Sequence, residues 1–191
     1  MAIRPKNIKV TKDNVTAMVA GVKDLTTMRV LVGVPATAAS RQARKGEHIN
    51  NAALAYIHNY GSPARNIPAR PFMEPGIRNA REAISKHMRA AATYAMKGQR
   101  EHVLQEFYAV GLAAQSAIRM KITTGPFAPL KPGTIRNRLR EHPGRKGEKA
   151  ALAALAALSA GKPYPVGSVM PLMDTGQLRA SISFIVRQKG G

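Results

Sequence analysis

Apolar positions along the chain follow two periods, and their order predicts the fold class. Val15, Met18, Val19 and Val22 recur at helical spacing, with Thr11 or Asp13 as capping candidates, so a first helix is expected through about Leu25 with these four residues on one face. MRVLVGV, over 28–34, is a β-branched apolar run ended by Pro35 and reads as a buried strand. Ala53, Leu54, Ile57 and Tyr60 predict a short helix. Asn50 or Asn51 would cap it, and Gly61 would stop it in a left-handed conformation.

A long helix is expected from Glu74 to about Lys97, with Ile77, Ala80, Ile84, Met88, Ala91 and Ala95 on one side. After Gly98 a second helix runs from Gln99 to Thr123 and turns Val103, Leu104, Phe107, Val110, Ala114, Ala117 and Ile118 inward. The two form an antiparallel pair, or one helix bent at Gly98. A short basic helix, TIRNRLR, opens at Pro132 or Thr134. After a loop, KAALAALAALSA (149–160) is a strong helix former with Leu152, Leu155 and Leu158 on one broad face. A helix so short is marginal alone, so it must dock on this domain or on a neighbouring subunit. In SISFIVR (181–187), Ile182, Phe184 and Val186 alternate as in a strand, which is expected to pair with 28–34. The class is α+β: a long helix pair packed on a small antiparallel sheet, with loop and helical insertions. One domain is expected over 1–191, with a helical insertion at 141–170.

Between the third and fourth of these elements the chain bends sharply. Pro63, Pro68, Pro71 and Pro75 each fix a backbone φ and bias the preceding residue toward extended geometry. Residues 66–72 therefore form a stiff connector, framed by Arg65 and Arg70 and anchored by a buried Phe72. Without a partner, the same prolines would describe only a rigid surface loop.

Charge changes the picture. Thirty Lys and Arg against ten Asp and Glu give a net charge of +20. The excess is spread through the chain: 11 basic and 3 acidic residues over 1–70, 8 and 4 over 71–128, 11 and 3 over 129–191. Such a surface attracts polyanions, nucleic acid first among them, or an acidic protein. Candidate contacts are Arg41, Arg44 and Lys45 in a basic loop, Arg136, Arg138 and Arg140 in the TIRNRLR helix, and Arg145 and Lys146 beyond it. Sequence-specific reading is not expected, because aromatic platforms and recognition motifs are missing. With no Trp and only nine Phe and Tyr, the core must be aliphatic and modest, and subunit contacts would help to stabilise it. There is no Cys, which excludes disulfides and thiolate metal sites. The N-terminal MAIRPKNIKVTKDN lacks an apolar run of signal-peptide length and no stretch reaches the length of a membrane span, so a soluble protein is expected.

Catalytic patterns are not evident. The five His stand apart, without HExxH spacing, and neither a phosphate loop nor GxSxG occurs. Asp174-Thr175-Gly176 could suggest an aspartic protease, but that chemistry needs two close carboxylates and the chain has only Asp13, Asp24 and Asp174. Asp174 reads instead as a helix cap, with Gln177 three residues on as in a capping box. Neither an enzyme nor a cofactor is expected.

Three ordered segments carry a resemblance: AYIHNYGSPARNIPARPFMEPGI (55–77), PFAPLKPGTIRNRL (126–139) and PLMDTGQLRASISF (171–184). Together they resemble the tail-completion and neck (virion morphogenesis, minor tail) proteins of long-tailed bacteriophages, with their run ending in iPaRPF, their PLxxxTxxxK element and their pLxDTGxLrxSi ending. The matching positions are Tyr60, Gly61, Pro68, Arg70, Pro71, Phe72, Leu130, Thr134, Leu172, Asp174, Thr175, Gly176, Leu178 and Ser181. The 141–170 segment departs from the family's pattern. The resemblance implies a structural virion protein that forms a ring with itself, hexameric in that family. Its partners would be tail terminator, tail tube or neck and connector proteins, with packaged DNA nearby and no membrane. It would be located in the tail or neck of the virion, and in host cytoplasm during assembly. A tail terminator subunit, or a basic nucleic-acid-associated protein, are the alternatives.

Overall fold

The computed structural model describes residues 14–40, 49–141, 144, 147–163 and 169–189. In chain order the elements are α1 (Val15–Thr27), β1 (Met28–Gly33), α2 (Asn51–Tyr60), α3 (Met73–Asn79), α4 (Arg81–Met96), α5 (Arg100–Thr124), α6 (Pro132–Glu141), α7 (Glu148–Ser159), α8 (Gln177–Ser181) and β2 (Ser183–Gln188). The mostly helical content with a two-stranded antiparallel sheet is the expected α+β class. β1 and β2 pair as the alternation predicts, and just past β2 the Lys189 N–H donates to the Thr27 carbonyl at 2.6 Å. Thr11 and Asp13, the expected caps of α1, lie outside the described residues.

The chain divides into two compact units: 1–31 with 82–113 and 185–191, and 32–81 with 114–184. In the first, α4 and α5 are separate helices joined at Gly98, whose φ of 70° is one that side-chain-bearing residues rarely adopt. Tyr94 stacks on His102 and His87 meets Glu106 at 2.7 Å, the nested pairing of an antiparallel hairpin. Ala91, Ala95, Val103 and Phe107 are buried, and Leu25, Met28, Val30 and Val186 pack on them. The helix pair thus lies on the sheet, as expected.

The apolar face of α1 is not its buried face. Val15 and Val19 are 59% and 58% exposed, and Val22 is exposed as well. The buried positions are Gly21 and Asp24. Gly21 faces the Ala95 backbone so closely that a Cβ would stand 2.8 Å from its carbonyl oxygen. Asp24 accepts two hydrogen bonds from Arg100, at 2.5 and 2.9 Å. A buried carboxylate is retained because it is paired. In turn the hydrogen bond and charge of Asp24 raise the Arg100 pKa above its usual value. Leu104, expected inward on α5, is also exposed, while Val103 and Phe107 are buried.

The second unit has larger side chains in its core. Phe72, Ile118, Ile122, Leu172, Leu178 and Ile182 form one buried cluster, and Leu130, Ile135 and Ala154 form another. The expected continuous helix from Glu74 breaks instead at Ala80, separating α3 from α4. In α3, Gly76 lies against α5, where a Cβ would come within 2.8 Å of the Ile118 Cα, while Ile77 is exposed. In α4, Met88 is exposed, whereas Ala91 and Ala95 are buried as expected. The Ala-rich α7 docks within the same chain, its Ala151, Leu155 and Leu158 packing with Leu139 on the Leu130–Ile135–Ala154 cluster. Leu152 is exposed rather than on the buried face. Among the described residues no helix is long and apolar enough to cross a membrane.

Candidate functional site

In the second unit the bend, the start of α6 and the segment before α8 surround a cavity of about 410 Å³. Each wall is fixed by a specific polar device. On the first wall, Asn50 caps α2 through its side chain, which accepts from the Ala53 N–H at 2.8 Å. The buried residues of this helix are Asn51, Ala55 and Asn59, while Ala53 and Tyr60 of the apolar periodicity are exposed. Polar side chains are buried here because they bond to backbone. Asn51 donates to the Ser40 carbonyl at 3.0 Å, and Asn59 Oδ1 accepts from the N–H groups of Phe72 and Met73, both at 3.1 Å. Asn59 thereby seats the fully buried Phe72 and starts α3.

Gly61 ends α2 with φ 79° and ψ 177°, so the predicted left-handed stop is corrected: φ is positive but ψ is extended. Any Cβ there would lie 2.8 Å from the Ala69 nitrogen, because the bend folds straight back over it. Pro63–Arg65 form a 3-10 turn, and Ser62 and Ile67 pair across it with backbone hydrogen bonds of 2.9 and 3.0 Å. The bend is therefore turned before it becomes extended, and Pro68 lines the cavity.

Two arginines hold the walls together. Arg70, only 4% exposed, donates from Nε to the Ala128 carbonyl at 2.8 Å and from Nη2 to the Pro129 carbonyl at 3.1 Å. Arg138 on α6 donates to the carbonyls of Met170, Pro171 and Met173 at 3.0, 2.8 and 3.1 Å. The planar guanidinium suits this task because its five donors can reach several carbonyls at once. Carbonyl acceptors do not cancel the charge. Asp174 lies 3.9 Å from the Arg138 Nε, and Glu141 is the other carboxylate among the lining residues. Buried Leu130, Leu172 and Leu178 make the apolar floor.

The predicted positions divide accordingly. Pro68, Arg70, Leu130, Thr134, Arg138, Leu172, Asp174, Thr175, Gly176 and Leu178 all line the cavity. Phe72 is in the core, and Ser181 is buried with its hydroxyl donating to the Leu178 carbonyl at 2.8 Å. Tyr60 is 66% exposed and its ring lies 4.9 Å from that of Tyr56, tilted by 49°, while Pro71 is exposed; neither lines the cavity. Arg136 and Arg140 are exposed on α6. Arg41, Arg44, Lys45, Arg145 and Lys146 lie outside the described residues. The position of the cap is corrected: Asp174 is not the N-cap residue. The helix begins at Gln177, its N-cap is Gly176 with φ 81°, and no side chain caps it. The Thr175 hydroxyl oxygen accepts a long 3.4 Å bond from the Gln177 N–H.

Lys131 and Glu141 also line the cavity, and nothing in the sequence reading marked them. A signal was present: 131, 134, 138 and 141 share one face at helical spacing. Arg65, read only as an edge of the bend, lines the cavity as well. Among the described residues no group of three or more His, Asp or Glu could hold a metal ion.

No family model matches the chain, and no solved structure matches it. An uncharacterized protein of Methanocaldococcus jannaschii is 40% identical over 37 residues, which is 19% of this chain and 27% of that relative. The match thus spans about a quarter of the relative's own length.

Proposed function

We propose that this chain is a structural virion protein of a long-tailed phage. It would be a tail-completion or neck ring component that acts in tail maturation and head–tail joining without catalytic turnover. One observation supports the reading above the others: the three segments that carry the resemblance, far apart in the chain, meet around one cavity and are stapled there by Arg70 and Arg138. A shared sequence pattern that converges in space fits a recognition surface better than a set of unrelated helix caps.

Self-association has support of its own. Between Glu106 and Arg119, α5 carries no charged residue, yet Tyr108 and Leu112 are 48% and 55% exposed. A helix that is uncharged on every face is normally covered. In a ring, that surface would meet neighbouring copies. The basic surplus, including Arg136 and Arg140 on the exposed side of α6, would face DNA or anionic partners, which also relieves like-charge repulsion. Those same arginines favour the second reading, a basic nucleic-acid-associated protein acting as a monomer or dimer. A tail terminator subunit is the third.

Electron microscopy of particles made without this protein tests the proposal. Unjoined heads and tails are expected, and normal joining, or purified virions that lack the chain, would sink it. Sizing at near-physiological salt separates the second reading, which requires a monomer or dimer that retards DNA with steep salt dependence.

A further inference from the structure

We propose that the cavity in the second unit binds an acidic, partly aliphatic peptide segment of a partner protein. Its carboxylates would be held by Arg65 and Lys131, with an aliphatic side chain resting on the leucine floor. Four Lys and Arg (Arg65, Arg70, Lys131, Arg138) line the cavity against two carboxylates. Arg70 and Arg138 are committed to holding the walls together through backbone carbonyls, and Arg138 also lies 3.9 Å from Asp174. Arg65 and Lys131 are exposed, and neither side chain is engaged by another described residue. The result is a pair of exposed cations beside an apolar surface, in a space that accommodates a few side chains.

Shape and composition favour a peptide over nucleic acid. A duplex is too wide to enter a space of about 410 Å³. A single strand is held by aromatic side chains on which its bases stack, and no Phe, Tyr or Trp is among the lining residues. Leu130, Leu172 and Leu178 offer aliphatic contact instead. A second copy of this chain is a poor donor of the segment, because it has ten Asp and Glu in all against thirty Lys and Arg. The occupant is therefore a different, more acidic protein. This deepens the assembly reading, on which it rests only for the partner being a virion protein.

Fluorescence anisotropy on the full chain tests it, using a labelled short peptide that alternates Glu and Leu. The wild type should bind that peptide and discriminate against the same peptide with Lys for Glu, and against one with Ser for Leu. Arg65→Ser with Lys131→Ser should weaken binding about tenfold or more, mainly through slower association that depends on salt. Both residues are exposed, so the variant should keep its circular dichroism and melting temperature. Arg65→Glu with Lys131→Glu should reverse the preference toward the Lys peptide. No binding of the Glu–Leu peptide, equal binding of the Lys peptide, or unchanged affinity in the double variant would overturn the inference. So would an oligothymidylate that competes at wild-type strength and loses affinity in the same variant. Peptide binding by a chain that is absent from virions would sink the assembly reading alone. A chain present in particles but unable to bind the peptide would sink this inference alone.

Discussion

The two units both use glycine contacts and buried side chains, but in different proportion. In the first, backbones approach because side chains are missing: Gly21 against Ala95, Gly98 against Ala17, with Ala91 and Ala95 in the core. In the second, large side chains fill the space: Phe72, Ile118, Ile122, Ile135 and Ile182 are essentially inaccessible. Arginines then clip its loops to backbone carbonyls, Arg119 adding bonds to Ala180 and Ile182. The contrast teaches that a basic chain need not present all of its cations to a partner. Some of the surplus charge is structural, and it sits where the second unit's loops would otherwise be unsupported.

The largest expected effect comes from removing the anchor of the second unit. Phe72→Ala should cost ~3–5 kcal/mol and abolish assembly, as read from denaturant melts and particle sizing. Hydrogen exchange sharpens the comparison: protection should fall over 32–81 and 114–184 more than over 82–113. An equal loss everywhere would mean that the two units unfold as one.

Arg70→Lys keeps the charge but loses the fork to Ala128 and Pro129, and should cost ~1.5–3 kcal/mol. A silent Arg70→Lys would show that the guanidinium clips are dispensable. Gly21→Ala examines the first unit, where the added methyl must displace the Ala95 backbone at 2.8 Å. A destabilisation of ~1–3 kcal/mol is expected, although alanine is the better helix former. A stabilised variant would refute the close-approach account. The smallest effect should come from Glu74→Ala, whose 2.6 Å bond to Arg78 joins two largely exposed side chains one helical turn apart. A change of ~0.2–0.5 kcal/mol that fades in salt is expected.

Much of this was legible in the sequence. Helices, strands, their pairing and the burial of Phe72 follow from periodicity and proline placement, whereas the three segments that surround the cavity are marked by the resemblance alone. Faces were read less well. On α1 the apolar stripe Val15–Val19–Val22 points outward, because burial there depends on how near a backbone can come, and glycine has no hydropathy to reveal that. On α2 the buried Asn51 and Asn59 look like surface residues until their backbone partners, Ser40, Phe72 and Met73, are known. Asp174 was assigned as a cap from local spacing alone, whereas the helix start was fixed by the turn at Gly176.

What the chain alone determined is therefore its local vocabulary: element types, their breaks at Gly98 and the prolines, and a charge of +20. Only the tertiary structure decided which cations are clips and which remain available to a partner. That choice depends on carbonyls 58 to 59 residues from Arg70 and 32 to 35 from Arg138. Long-range acceptors of this kind leave no periodic trace, because a backbone carbonyl is the same at every position.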